Sequence, residues 1–69
     1  MTQKELSYIE DAVGHEVNII SIIEETLKNL EDENLVTFFE QELNVHTTIK
    51  DNLLEKLEEK VNEWWTFNE

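Results

Sequence analysis

Apolar residues recur along the first half of the chain in alternating steps of three and four, which is the repeat of a heptad seam on an α-helix. This series includes one charged residue and runs Leu6, Ile9, Val13, Glu16, Ile20, Ile23, Leu27 and Leu30. A second stripe beside it runs Tyr8, Ala12, His15, Ile19 and Ile22. The combined arc is wider than a two-stranded coil needs. It is typical of a bundle, in which each helix faces two neighbours.

The second half of the chain carries a similar series, interrupted by two polar residues. Its members are Leu35, Phe39, Glu42, His46, Ile49, Leu53, Leu57, Val61 and Trp64. Further apolar residues widen this face, namely Phe38, Leu43, Val45 and Leu54. The aromatic tail Trp64-Trp65-Thr66-Phe67 is predicted to close one end of a bundle.

Capping residues mark where the two helices begin. Thr2 and Glu5 have the spacing of a capping box, and Asp32 is the predicted N-cap of the second helix. We predict a helix over about residues 3–30, a turn at about 31–33 and a helix over about 33–65. They form a single helical-hairpin domain over residues 1–69. A connection this short makes the helices antiparallel neighbours.

Size and composition indicate that this hairpin needs a partner. The chain has 69 residues, no cysteine, no proline and one glycine. A domain this small rarely buries enough apolar surface alone, and disulfides are excluded. The sequence therefore predicts an all-α fold, an antiparallel helical hairpin that forms a homodimer with four helices in one bundle.

The charge balance narrows the classes of partner. The net charge is −12, from 17 acidic and 5 basic residues. Nucleic-acid and anionic-membrane binding are not expected, because phosphate contacts need clustered Lys and Arg. The acidity fits cation binding, a basic partner or plain solubility. We also predict no secretory signal and no membrane span, and hence synthesis in the cytoplasm.

Three polar residues in the seams converge on one level of the hairpin. In a tight antiparallel hairpin with this connection, the numbers of two residues that face each other add up to about 64. Glu16 is therefore expected near His46, with Glu42 one helical turn closer to the connection. Two hairpins would bring four carboxylates and two imidazoles to one layer. Ferritin-like di-iron and di-manganese bundles use such ligands, although in a Glu-x-x-His spacing rather than Glu-x-x-x-His.

Two interpretations of these residues stay open. In the first, Glu16, Glu42 and His46 are metal ligands for Fe or Mn. In the second, they form a buried ion pair or hydrogen bond that fixes the register, or the Glu side chains extend outward to solvent. His15 is predicted to lie partly buried in an interface. Ser7 and Ser21 have no histidine within helical reach, and the lysines are few and scattered. We therefore predict no enzyme activity and no catalytic residue.

Several segments resemble the spore coat protein F-like family of endospore-forming bacteria. They are Lys4-Glu5-Leu6-Ser7-Tyr8-Ile9-Glu10-Asp11-Ala12, His15-Glu16, Asp32-Glu33-Asn34-Leu35, and Glu42 to His46 with Leu53, Leu54 and Leu57. The resemblance covers about residues 4–58 and implies a ferritin-like half-unit in a sporulation setting, with no enzyme activity. The more acidic surface and the Trp-Trp tail depart from the family pattern.

The sequence as a whole favours a non-enzymatic structural or interaction protein associated with the spore coat, able to bind other coat proteins. One alternative is a metal-binding ferritin-like half-unit with the Glu/Glu/His site. A second alternative is a small acidic regulator that binds a basic partner by charge.

Overall fold

The computed structural model describes the backbone of residues 1–68 and the side chains of residues 1–62, and it shows two α-helices. Helix α1 spans Gln3–Leu27 and helix α2 spans Glu33–Asn68. The helices pack against each other as an antiparallel hairpin with principal dimensions of 55 × 16 × 13 Å. The predicted helical hairpin is confirmed.

A reciprocal pair of hydrogen bonds begins α1. The Glu5 N–H donates to Thr2 Oγ1 at 3.0 Å, and the Thr2 N–H donates to Glu5 Oε1 at 2.9 Å. Two amides that the helix itself cannot satisfy thus find acceptors, so the predicted capping box is confirmed. The bond from the Thr2 N–H is the main cause that lowers the pKa of the Glu5 carboxyl below its ordinary value, and the Thr2 hydroxyl adds to the effect.

Helix α1 ends at Leu27, before the predicted end at about residue 30. The Asn29 N–H donates to the Thr26 carbonyl at 3.0 Å, which tightens the last turn. The Asn29 side-chain Nδ2 donates to the Glu25 carbonyl at 2.9 Å. Because an amide side chain satisfies this terminal carbonyl, the helix can stop here. Leu30 lies beyond the helix but stays half-buried.

Asp32 caps the start of α2 as predicted. Its Oδ1 accepts hydrogen bonds from the N–H groups of Asn34 at 2.9 Å and Leu35 at 3.1 Å. Its carbonyl accepts from Val36 at 2.9 Å. Glu33 in the first turn adds negative charge at the positive end of the helix dipole.

The seam of α1 is the predicted one, since all its members from Leu6 to Leu30 are buried or half-buried. Among the side chains of residues 1–62, Ile23 is the one that is fully buried, with 6% of its surface exposed. The two helices thus touch along a narrow line and do not enclose a hydrophobic core.

The seam of α2 differs from the prediction at four positions. The half-buried residues that follow its heptad are Val36, Phe39, Leu43, His46, Lys50, Leu53, Leu57 and Lys60. The predicted members Leu35, Ile49 and Val61 are exposed, and Glu42 lies at the seam's edge. Two of the four differences place a lysine in the seam, where its aliphatic stem packs while its ammonium group reaches water. The other two place the apolar residues Val36 and Leu43 in the seam instead of the residues before them.

Removal of the α2 cap should destabilise the hairpin. We expect Asp32→Ala to lower the free energy of unfolding by about 1 kcal/mol, because two amides lose their acceptor. Urea unfolding followed by circular dichroism measures this loss. Glu31→Ala, at the exposed neighbouring position, is the matched control and should change stability much less. An equal loss in both variants would contradict the assigned cap.

Candidate interaction surface

One polar contact joins the two helices near the middle of α1. His46 Nδ1 and Glu16 Oε2 are 2.6 Å apart, and the two side chains are only 23% and 15% exposed. Both residues occupy seam positions, so the helices hold them face to face. The sequence placed these residues at one level, and the structure brings them together there.

Glu42 approaches the other nitrogen of the same imidazole. Its Oε2 lies 3.8 Å from His46 Nε2, one helical turn away on α2. The Glu42 side chain is 40% exposed, so it lies where the seam meets solvent. The three predicted site residues are therefore neighbours, with His46 between the two carboxylates.

This arrangement fixes how the helices align. A hydrogen bond between half-buried groups is lost if one helix slips by a turn, and a buried carboxylate without a partner is costly. Glu16 and His46 thus favour the observed register over its alternatives, as polar seam residues do in coiled coils.

The donor types also suit a divalent transition metal, which accepts imidazole nitrogen and carboxylate oxygen. Within residues 1–62, however, no three His, Cys, Asp or Glu side chains are grouped so that they could hold a metal ion. Each ring nitrogen of His46 faces a carboxylate. Within one chain, His46 Nε2 and Glu42 could supply two ligands while His46 Nδ1 keeps its hydrogen bond to Glu16.

Each helix has a second, mainly apolar stripe beside the seam. Each member of this stripe is the residue that comes one position before a seam residue in the sequence. Because the helices are right-handed and antiparallel, positions that precede the seam come to the same side of the hairpin on both. We call this side the apolar face. Its members are Tyr8, Ala12, His15, Ile19 and Ile22 of α1 and Leu35, Phe38, Glu42, Val45 and Ile49 of α2.

The apolar face is open to solvent along its length. Its exposed large apolar residues are Tyr8, Ile22, Leu35, Phe38, Val45 and Ile49. Phe38 leans edge-on against Phe39 of the seam, with the ring centroids 5.3 Å apart. The predicted partial burial of His15 is not seen in the single chain, where this histidine is exposed. Contiguous exposed apolar patches are a common feature of protein interaction sites.

The opposite side of the hairpin carries more carboxylates, beside the exposed apolar residues Val17, Leu54 and Val61. The positions that follow the seam residues include Glu10, Glu24, Glu40, Asp51 and Glu58, all of them exposed. We call this side the carboxylate face. Among the members of the apolar face, by contrast, Glu42 is the one carboxylate. Glu5 and Glu59 also precede seam residues, at the end of the hairpin away from the turn, so the separation of charge holds for the stretch from Tyr8 to Ile49. The signal for this asymmetry lies in the sequence, in the contrast between the residues before and after each seam position, and apolar periodicity alone does not reveal it.

The side chains of Trp64, Trp65 and Phe67, predicted to close the bundle, lie outside the described residues. In the described part of the chain, neither helix has a stretch that is long and apolar enough to cross a membrane.

Comparison of the chain with family models, with curated proteins and with solved structures gives no match in any of the three. The resemblance to the spore coat protein F-like family therefore stays a prediction from the residues.

A double-mutant cycle should reveal the coupling between Glu16 and His46. We expect Glu16→Leu and His46→Leu each to leave one half-buried polar group without its partner, whereas the double variant replaces both with apolar packing. The double variant should be at least as stable as the original chain. The coupling should be about 0.5–3 kcal/mol by urea unfolding at fixed protein concentration. Additive effects of the two substitutions would show that the contact does not fix the register.

Proposed function

We propose that this protein is a non-enzymatic structural and interaction protein that works as a homodimeric four-helix bundle. The observation that carries the proposal is the second heptad stripe on each helix, which leaves the apolar face open on one side of the hairpin. Helices with two adjacent apolar stripes are suited to two neighbours each. The hairpin supplies one neighbour, and a second hairpin would supply the other.

A second copy of the chain suits this face better than a single helix or a basic partner. The face is two helices wide, so a partner with two helices at the same spacing covers both stripes together. Its members hold one carboxylate, so two copies of a chain with net charge −12 could meet there with little repulsion. The carboxylate faces would then point away from each other into solvent.

The thin seam supports an obligate pairing. Ile23 alone is fully buried among the described side chains, and burial of apolar area is the main favourable term in folding. A small domain that buries so little apolar area often gains stability from a partner subunit. Homo-oligomers with two-fold symmetry are the commonest solution.

The setting of the proposal rests on the family resemblance. The segments that resemble the spore coat protein F-like family support a coat-associated role, in which the dimer would be a building unit that contacts other coat proteins. The carboxylate face would be free in such a dimer to bind a basic surface of a neighbouring protein.

The proposal predicts a dimer that a single charge on the apolar face disrupts. We expect light scattering to give twice the chain mass and the melting temperature to rise with protein concentration. Val45→Asp, at a position 51% exposed on the apolar face, should shift the protein toward monomer and lower its melting temperature, because the dimer would bury an unpaired charge.

Val17→Asp is the matched control, since Val17 is 46% exposed and lies on the opposite side of the hairpin. This variant should keep the dimer mass. A monomer that melts cooperatively, in the original chain at low micromolar concentration, would contradict the proposed function.

A second candidate function is metal binding by a ferritin-like half-unit. The closeness of Glu16, Glu42 and His46 favours it, because dimerisation would bring two such sets into one bundle. In this form the residues would act as ligands for Fe or Mn, and the bound ion would supply redox or storage chemistry.

Melting curves with chelator and with Mn(II), Fe(II) or Zn(II) separate the two candidates. A ligand site predicts a stabilisation of about 2.7 kcal/mol at a hundredfold excess of metal over the dissociation constant. Glu16→Leu, Glu42→Leu and His46→Leu should each abolish it. Glu40→Leu, which removes a carboxylate from the carboxylate face, should keep it. If no metal stabilises the original chain, the ligand hypothesis is wrong and the structural role stands.

A further inference from the structure

Glu42 is out of place in the apolar face. It follows Leu35 and Phe38 and precedes Val45 and Ile49 in unbroken steps of three and four. The stripe therefore holds a carboxylate at its centre, between apolar residues on both sides along the stripe. A leucine at this position would continue the stripe and increase the apolar area available to a partner.

The fold of the single chain does not account for this residue. The register of the hairpin is already fixed by the hydrogen bond of 2.6 Å between Glu16 and His46. Glu42 adds only a longer contact of 3.8 Å to His46 Nε2 from a side chain that is 40% exposed. When a partner covers the face, Glu42 costs free energy of association, because a carboxylate taken out of water needs polar neighbours.

A fully apolar face with a heptad repeat has a different weakness, because it does not by itself select one arrangement of the two chains. Two hairpins could pair with their turns at the same end or at opposite ends, and either pairing could slip by a heptad while apolar residues still meet. A single polar residue in an apolar stripe removes such alternatives, because only one arrangement gives it polar partners.

We propose that Glu42 is the residue that determines the alignment of the two chains in the dimer. The proposal rests on the proposed homodimer. Glu42 makes association weaker than a fully apolar face would allow, and it confines association to the arrangement in which each Glu42 meets polar groups. The imidazoles of His46 and of His15 on the same face are the candidates within the chain.

The experiment measures alignment and affinity together. Since the chain has no cysteine, Glu31→Cys in the turn provides one site for a spin label. Labels lie close together if the turns share an end, and roughly 40 Å or more apart if the turns are at opposite ends, given about 1.5 Å of rise per residue. Sedimentation of the same samples gives the dissociation constant of the dimer.

We expect one distance population in the chain that keeps Glu42. Glu42→Leu should show more than one population and should associate at least about tenfold more tightly, a change of about 1.4 kcal/mol. Glu42→Gln keeps a polar group of the same shape and should keep the single population. Glu40→Leu, at an exposed position of the carboxylate face, should leave both distance and affinity unchanged.

The possible outcomes test the role of Glu42 separately from the proposed homodimer. A single population in Glu42→Leu overturns the role of Glu42, whatever its affinity, and leaves the dimer intact. Multiple populations in Glu40→Leu overturn it as well, because loss of any carboxylate would then have this effect. A monomeric original chain overturns the proposed homodimer and this inference with it.

Discussion

The structure depends on one constraint, which is that two helices joined in a hairpin can bury only the line along which they touch. Ile23 is the one fully buried side chain among residues 1–62, while large apolar residues lie exposed along a stripe next to the seam. Hydrophobic stabilisation grows with the area removed from water. The second stripe therefore contributes little until another surface covers it, and the arrangement of polar and charged residues follows from that need.

Charge is distributed in agreement with this constraint. Between residues 8 and 49, positions that precede the seam residues are mostly apolar, and positions that follow seam residues hold Glu10, Glu24, Glu40, Asp51 and Glu58. A net charge of −12 opposes any contact between copies, so a chain that pairs with itself must keep its carboxylates away from the contact. The antiparallel hairpin achieves this separation by bringing equivalent positions of both helices to the same side.

Polar residues inside the apolar stripes have separate tasks. Glu16 and His46 meet within one chain and set the alignment of α1 on α2, because their hydrogen bond exists in only one register. Glu42 touches the same imidazole at a longer distance and extends into the apolar face. In the proposed dimer, this short series of polar residues would link alignment within the hairpin to alignment between hairpins. The same donors could serve a metal at His46 Nε2 without loss of the hydrogen bond between His46 Nδ1 and Glu16.

The sequence by itself determined the helices, their caps, the seam of α1 and the closeness of Glu16 and His46. These features follow from local periodicity, capping side chains and the length of the turn, all of which act over a few residues. The sequence did not determine the seam of α2, where Lys50 and Lys60 take positions that apolarity assigns to Ile49 and Val61. Nor did it fix the end of α1, where Asn29 caps the helix early. The packing of α1 against α2 decided the seam of α2, whereas the early end of α1 follows from the local hydrogen bond of the Asn29 side chain to the Glu25 carbonyl. The rotation of a helix about its axis depends on which side chains fit a particular neighbour, and a lysine stem fits a seam as well as a branched apolar side chain can.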